Sequence, residues 1–124
     1  MKVISSKMHG VLDYLVAAIL IIMPWALDFT ASDAATWVMV AAGIATIIYS
    51  LLTNYEYSIA RIISMQNHLI LDSTSAIFLI ASPWILGFHD IVFLPHMVIG
   101  AVELIAVSLT KVGTLNKPVK TQFQ

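Results

Sequence analysis

The chain has 124 residues, of which 60% are hydrophobic and 10% are charged. A soluble domain of this size carries about 45–50% apolar and about 25% charged residues, so this composition excludes an ordinary soluble globule. The net charge of −1 provides no basic surface for nucleic acid, and the absence of cysteine excludes disulfides, thiolate metal sites and thiol redox chemistry.

Four long apolar stretches account for the excess of hydrophobic residues. Each is close to the roughly 20 helical residues that cross about 30 Å of hydrocarbon, and each is too long for a barrel strand. We therefore predict an all-α membrane protein, a bundle of four transmembrane helices. The predicted spans are 9–29, 34–52, 62–87 and 91–110.

The basic residues all fall on one side of this topology, whereas the loops after the first and third spans carry only acidic charges. The basic residues are Lys2, Lys7, Arg61, Lys111, Lys117 and Lys120. The positive-inside rule then predicts a multi-pass protein with both termini and the middle loop in the cytoplasm. A cleaved signal peptide is the competing interpretation of the first span. We disfavour it because the third span carries the same pattern in the middle of the chain.

The first and third spans are two copies of one sequence pattern. Residues 8–29, MHGVLDYLVAAILIIMPWALDF, match residues 67–88, NHLILDSTSAIFLIASPWILGF, at ten of 22 positions after a shift of 59. The second and fourth spans match less closely, over residues 39–53 and 97–110. The unit is a two-helix hairpin used twice, and both copies insert in the same orientation because each holds an even number of spans. The predicted divisions are a first repeat at 1–57, a second repeat at 58–112 and a cytoplasmic tail at 113–124.

A hairpin whose first helix carries His-x-x-Leu-Asp and then Pro-Trp resembles the SPW-repeat family of integral membrane proteins. The resemblance covers residues 8 to about 110, and the full motif stands in the second copy as Ser82, Pro83 and Trp84. The first copy has methionine before Pro24 and Trp25. The resemblance implies a small bacterial or archaeal inner-membrane protein, and it implies no particular activity.

The Pro-Trp pairs are predicted to mark helix ends at the membrane interface. Proline frees a backbone carbonyl and so kinks or ends a helix, while tryptophan favours the headgroup region. We expect the Ser82 hydroxyl to bond back to an earlier carbonyl and ease the loss caused by Pro83. A functional hinge is the alternative interpretation. The motif residues are Pro24, Trp25, Ser82, Pro83 and Trp84.

The repeated polar residues fall on one narrow stripe. At 100° per residue, five of the residues shared by both copies cover an arc of about 80°, so we expect the stripe to face the other repeat rather than lipid. The stripe consists of His9, Asp13, Ala17, Leu20 and Pro24, with His68, Asp72, Ala76, Leu79 and Pro83 in the second copy. Histidine and aspartate at positions i and i+4 can contact each other on a helix.

Glu103 in the fourth span lies at a depth similar to that of Asp72. It is about 18 Å from the outer end of its span, and Asp72 is about 15 Å from the cytoplasmic end of the third. In about 30 Å of hydrocarbon the two depths nearly coincide. The candidate polar core is His9, Asp13, His68, Asp72, Glu103 and His96, with His96 toward the outside.

Three functions fit these residues. The first is a structural or interaction module in which the His/Asp stripe holds the repeats together. The second is a proton or cation pathway through Asp13, Asp72 and Glu103, since acids at this depth are typical of proton relays. The third is b-type haem binding by His9 and His68, which occupy equivalent places on two helices.

We favour the structural or interaction module. The chain contains no nucleophile motif, phosphate loop or zinc signature, so we predict no catalytic residues, no metal and no enzyme activity. No cofactor is expected apart from the haem alternative. The expected partners are the lipid bilayer and either a second copy of the chain or another membrane protein, and not nucleic acid.

Overall fold

The computed structural model describes residues 2–112, and its regular secondary structure over that range is helical apart from two isolated bridges. Within these residues the predicted fold class, an all-α protein with four helices, is confirmed. The helices are α1 (Ser6–Ala26), α2 (Asp33–Leu51), α3 (Met65–Ile85) and α4 (Leu94–Leu109). The predicted tail at 113–124 lies outside the described residues.

Serine caps fix where the first three helices begin. The hydroxyls of Ser5, Ser32 and Ser64 each accept a hydrogen bond of 3.2–3.3 Å from the backbone N–H three residues on. Such a cap satisfies one of the N–H groups that the first helical turn leaves without a partner. As a result α1 begins three residues before its predicted span and α3 three residues after its own. Hydropathy alone does not predict these caps, so it places the helix starts only approximately.

The ends of α1 and α3 have the same geometry in both repeats. Asp28 and Gly87 occupy equivalent positions and have positive φ angles of 56° and 74°. One residue further on, the N–H groups of Phe29 and Phe88 donate to the carbonyls of the preceding prolines, at 3.0 and 2.8 Å. This is the Schellman pattern of helix termination. Both helices therefore end two residues after the proline of the Pro-Trp pair.

The two helices of each hairpin approach closely at a glycine. A Cβ atom on Gly43 would lie 2.8 Å from the Ala17 carbonyl oxygen, and one on Gly100 would lie 2.7 Å from that of Ala76. Neither position leaves room for a side chain. Small residues at helix contacts are the usual way in which membrane helices pack without a hydrophobic driving force between them. The predicted hairpin is thus present twice, as α1 with α2 and α3 with α4.

Short backbone pairings join the start of each repeat to the end of the other. Ile4 pairs with Thr110, and Ile63 pairs with Thr53, each as an isolated parallel bridge. Backbone hydrogen bonds of 2.8–2.9 Å surround both pairings. Because each pairing is cross-repeat and the two are equivalent, the repeats close on each other with approximate twofold symmetry.

The centre of the molecule contains the apolar part of the predicted stripe. Ala17, Leu20, Ala76 and Leu79 are each fully buried, and we call them the apolar layer. The two leucines also belong to a core cluster that extends to Phe29 and Phe88 at the Pro-Trp end. The apolar layer therefore separates the histidines and aspartates of α1 and α3 from the Pro-Trp end.

The outer surface of the helices is apolar. The exposed large hydrophobic side chains include Leu15, Ile22, Ile48, Ile77 and Ile105. By length and composition, α1, α2 and α3 can each cross a membrane. The fourth helix is apolar but has 16 residues, or about 24 Å, because it begins only at Leu94 with a proline in its first turn. The protein is a multi-pass membrane protein.

Candidate functional site: a buried His/Asp ring

Two histidines and two aspartates meet where the N-terminal parts of α1 and α3 face each other. Helix α1 contributes His9 and Asp13, and α3 contributes His68 and Asp72. All four side chains are buried, with at most 8% of any residue exposed. We call this group the His/Asp ring. The repeated His-x-x-Leu-Asp sequence therefore converges on one place.

The shortest contacts in the ring run between the repeats. The Nε2 atom of His9 lies 2.8 Å from Oδ2 of Asp72, and Nε2 of His68 lies 2.8 Å from Oδ2 of Asp13. The contacts along each helix, at i and i+4, are longer at 3.1 Å. Each histidine thus touches both aspartates, and the four contacts form a closed ring across the interface between α1 and α3.

Two threonines hold the outer nitrogens of the histidines. The Thr110 hydroxyl lies 2.8 Å from Nδ1 of His9, and the Thr53 hydroxyl lies 2.8 Å from Nδ1 of His68. Each threonine also donates its single proton to a backbone carbonyl on its own helix at 2.6 Å. It must therefore accept from the histidine, because a hydroxyl has only one proton to give. Both imidazoles carry a proton on Nδ1 and point Nε2 into the ring.

The ring is electrically neutral. A bare Nε2 and a carboxylate oxygen are both acceptors, so each 2.8 Å contact must contain one proton. Two shared protons balance the charges of two carboxylates, wherever each proton sits along its contact. An uncompensated charge at the centre of a bilayer costs at least about 2.5 kcal/mol. Neutrality lets four polar side chains lie inside an apolar protein.

The symmetry of the repeats breaks beside the ring. On one side, the Tyr49 hydroxyl donates to Oδ1 of Asp72. The position equivalent to Tyr49 in the second repeat is Ala106, and that equivalent to Thr46 is Glu103, after a shift of 57 that also superposes the hairpin glycines. The smaller side chain leaves a cavity of about 30 Å³, enough for at least one water molecule. It is lined by His9, Leu12, Asp13, Val16, Thr46, Asp72, Val102, Glu103 and Ala106.

Aromatic side chains cover the ring on the side of the loop between α2 and α3. The Tyr55 ring lies 5.6 Å from that of His68, and the Tyr49 ring lies 5.1 Å from it, centroid to centroid. Tyr55 also lies directly over Gly10, where an added Cβ would come within 2.4 Å of its ring. Gly10 therefore lets this loop close over the buried polar groups.

The structure places five of the six candidate polar-core residues together and one apart. Glu103 lines the cavity beside Asp13 and Asp72, so Glu103 and Asp72 adjoin the same cavity as well as lying at a similar depth. His96 lies about 10 Å further along α4, toward the Pro-Trp end. There its Nε2 donates to the Ala35 carbonyl at 3.0 Å. His96 is part of the apolar core at that end, packed against Phe29 and Phe88.

The Pro-Trp residues lie at the opposite end from the ring. Ser82 donates to the Leu79 carbonyl at 2.7 Å, which is the carbonyl that Pro83 deprives of its helical partner. Pro24 and Pro83 are fully buried. Trp25 and Trp84 are about half exposed, as expected for residues at the surface of the helices.

Sequence reasoning missed three residues that contact the ring, namely Tyr49, Thr53 and Thr110. The threonines had a detectable signal, because the matched second spans both end in Leu-Thr at 52–53 and 109–110. Tyr49 had none, since its equivalent position holds alanine. Its contact with Asp72 depends on how α2 packs against α3.

The ring presents a possible ligand set for a metal, two imidazole nitrogens and two carboxylate oxygens. One such atom from each residue lies within 4.8 Å of all the others. Haem ligation by His9 and His68 would instead require both Nε2 atoms to leave their carboxylates, and the adjoining cavity of about 30 Å³ is far smaller than a porphyrin. The geometry suits a small ion better than a flat cofactor.

The fold and site define a small multi-pass membrane protein built from a helical hairpin used twice, with a buried polar ring between the copies. The model of the SPW repeat domain matches residues 7–110. The chain therefore belongs to the SPW repeat family, as the sequence analysis predicted. Neither a curated protein nor a solved structure matches the chain.

Proposed function

We propose that this protein is a structural or interaction module of the inner membrane, and that the His/Asp ring is the lock between its two repeats. The observation that carries the proposal is the direction of the shortest ring contacts. Both 2.8 Å contacts between Nε2 and a carboxylate join α1 to α3, which belong to different repeats. The polar residues of the ring therefore hold the two hairpins to each other.

The packing along the central axis supports a structural role for the ring rather than an ion pathway. The apolar layer of Ala17, Leu20, Ala76 and Leu79 is fully buried between the ring and the Pro-Trp end. An ion leaving the ring in that direction would have to displace two leucine side chains. The ring is also satisfied internally, since each histidine uses both nitrogens and each aspartate both oxygens.

The charge distribution supports an orientation with both termini in the cytoplasm. Lys2, Lys7, Arg61 and Lys111 all lie near the ring end of the helices, before α1, in its first turn, between α2 and α3, and after α4. Positive charge is retained on the cytoplasmic side of membrane proteins. The ring would then lie toward the cytoplasm and the Pro-Trp pairs toward the outside.

Reconstitution separates a lock from a pathway. Proteoliposomes with a trapped pH indicator and an imposed potassium diffusion potential should show no proton uptake beyond that of empty vesicles. Asp72→Asn should lower the stability of the protein without changing this baseline. Proton flux by the wild type that disappears in a folded Asp72→Asn variant would overturn the proposal.

A proton or cation pathway is the second candidate, and the cavity beside the ring favours it. Glu103 lines this cavity with Asp13 and Asp72, so three carboxyl groups surround a space that can hold water. Water-filled cavities with acids at such depths are found along proton relays. In the same vesicles, Glu103→Gln should abolish any flux if this pathway operates, whereas the exposed surface control Asp90→Asn should leave it unchanged.

A further inference from the structure

We infer that the His/Asp ring is a binding site for one divalent first-row transition-metal ion of the Zn²⁺ type, coordinated by His9, Asp13, His68 and Asp72. The inference rests on the same ring as the proposed lock, and it adds a ligand to it. Two imidazole nitrogens and two carboxylate oxygens form a donor set that suits zinc and its neighbours better than calcium or magnesium.

The spacing of the donor atoms is close to that of a tetrahedral site. With metal–ligand bonds of about 2.0–2.1 Å, neighbouring ligand atoms in a tetrahedron lie about 3.3 Å apart. The cross-repeat contacts of 2.8 Å would have to lengthen by about half an ångström. One ligand atom from each residue lies within 4.8 Å of the other three, so the longest separation would have to shorten by at most about 1.5 Å.

The hydrogen bonds behind the histidines are those that a metal site requires. Metal-bound histidines usually donate their second ring N–H to an oxygen acceptor, which fixes the tautomer and the orientation of the ring. Here Nδ1 of His9 donates to Thr110 and Nδ1 of His68 donates to Thr53, each at 2.8 Å. Both Nε2 atoms therefore point inward, in the orientation that metal ligation requires.

Charge balance is preserved when an ion replaces the shared protons. The ring without metal contains two protons shared between two imidazoles and two carboxylates. A divalent cation that displaces both protons leaves two neutral imidazoles, two carboxylates and a net charge of zero. The protein then gains no charge inside its apolar surroundings, which is the condition that a membrane site must meet.

The cavity beside the ring supplies space next to the ion. His9, Asp13 and Asp72 reach its wall from the ring, and Glu103 faces them across about 30 Å³. The equivalent space in the other half is filled by Tyr49. Water held in this cavity therefore reaches the ion from one side only.

Cobalt titration of the full chain in detergent tests the inference, with Co²⁺ as the spectroscopic probe and Zn²⁺ as the competitor. After removal of metal with a chelator, the wild type should bind one Co²⁺ per chain with the intense visible absorption of a tetrahedral complex. One equivalent of Zn²⁺ should abolish that absorption. Asp72→Asn should weaken Co²⁺ binding at least 100-fold, and the matched surface control His89→Gln should bind as the wild type does.

A second variant keeps the test decisive if Asp72→Asn fails to fold. Thr110→Val leaves all four ligands in place and removes only the hydrogen bond behind His9, so it should weaken Co²⁺ binding about 10- to 100-fold. A wild type with no tetrahedral cobalt spectrum would overturn the metal site, as would binding that is lost in His89→Gln and unchanged in Thr110→Val. The proposed lock is tested separately, by the stability of the metal-free protein and its variants.

Discussion

Of the two ring aspartates, Asp72 is the one whose loss should destabilise the protein more. Its Oδ2 atom lies 2.8 Å from Nε2 of His9 and 3.1 Å from Nε2 of His68, and its Oδ1 atom accepts from the Tyr49 hydroxyl. Asp13 makes the equivalent contacts with both histidines but has no tyrosine partner. Asp72→Ala therefore removes three contacts and Asp13→Ala removes two.

The magnitude follows from these contacts. Hydrogen bonds between membrane helices average about 0.6 kcal/mol each, which gives about 2 kcal/mol for the three contacts of Asp72 as a lower bound. Removing one partner of a buried ion pair costs about 3–5 kcal/mol, because the remaining group stays buried without compensation. We expect Asp72→Ala to lower the free energy of unfolding by about 2–5 kcal/mol. Asp13→Ala should cost about 0.6 kcal/mol less.

Reversible unfolding in mixed micelles measures this difference. Helical circular dichroism is followed as the fraction of denaturing detergent rises, for the wild type, both aspartate variants and the surface control Asp90→Ala, whose side chain is 90% exposed. The control should unfold with the wild type. A free energy of unfolding for Asp72→Ala within about 0.5 kcal/mol of the wild type, the range of ordinary surface changes, would refute the reasoning.

Three further predictions follow from other contacts. Thr53→Val and Thr110→Val should each lower the free energy of unfolding by about 1–3 kcal/mol, because each leaves one buried histidine N–H without an acceptor. The two effects should be similar, and unfolding of both variants in mixed micelles measures them. Gly43→Ala and Gly100→Ala should each cost about 1–3 kcal/mol through overpacking against the facing helix, measured in the same way. Burial raises the pKa of the Tyr55 phenol above its ordinary value of about 10, so its contribution to stability should be present below that pH and be lost as pH rises above it. Unfolding between about pH 9 and 11 should therefore depend less steeply on pH in Tyr55→Phe.

Much of the fold could be predicted from the sequence because hydropathy and the repeat report it directly. Four apolar stretches gave four helices, and the match between 8–29 and 67–88 gave the hairpin unit. Helix boundaries were less predictable, because they depend on serine caps and on a positive φ angle. The fourth helix is shorter than its predicted span since the chain turns at residues 88–93 before the helix begins.

The candidate site was only partly predictable. Periodicity placed His9, Asp13, His68 and Asp72 on stripes that face the other repeat, but it suggested pairing along each helix. The shorter contacts cross between the repeats, because the twofold arrangement brings each histidine nearer to the aspartate of the other copy. Partners that come from α2 and α4 depend on tertiary packing, which a single sequence does not reveal.

The asymmetry beside the ring also follows from packing rather than from the repeated pattern. Tyr49 fills on one side the space that Ala106 leaves open on the other, and Glu103 faces that space. Comparing the two repeats in the sequence shows such a difference only as a mismatch and does not reveal its structural effect. The mismatch matters because both positions lie next to the His/Asp ring.

Solid-state NMR of the protein in lipid bilayers, labelled with ¹⁵N-histidine and ¹³C-aspartate, tests directly whether the His/Asp ring joins the two repeats. Nε2 of His9 should be close to the carboxyl carbon of Asp72 as well as to that of Asp13. Nε2 of His68 should show the reciprocal contacts, and both rings should carry a proton on Nδ1. Contacts from each histidine only to the aspartate of its own helix would contradict a ring that joins the two repeats.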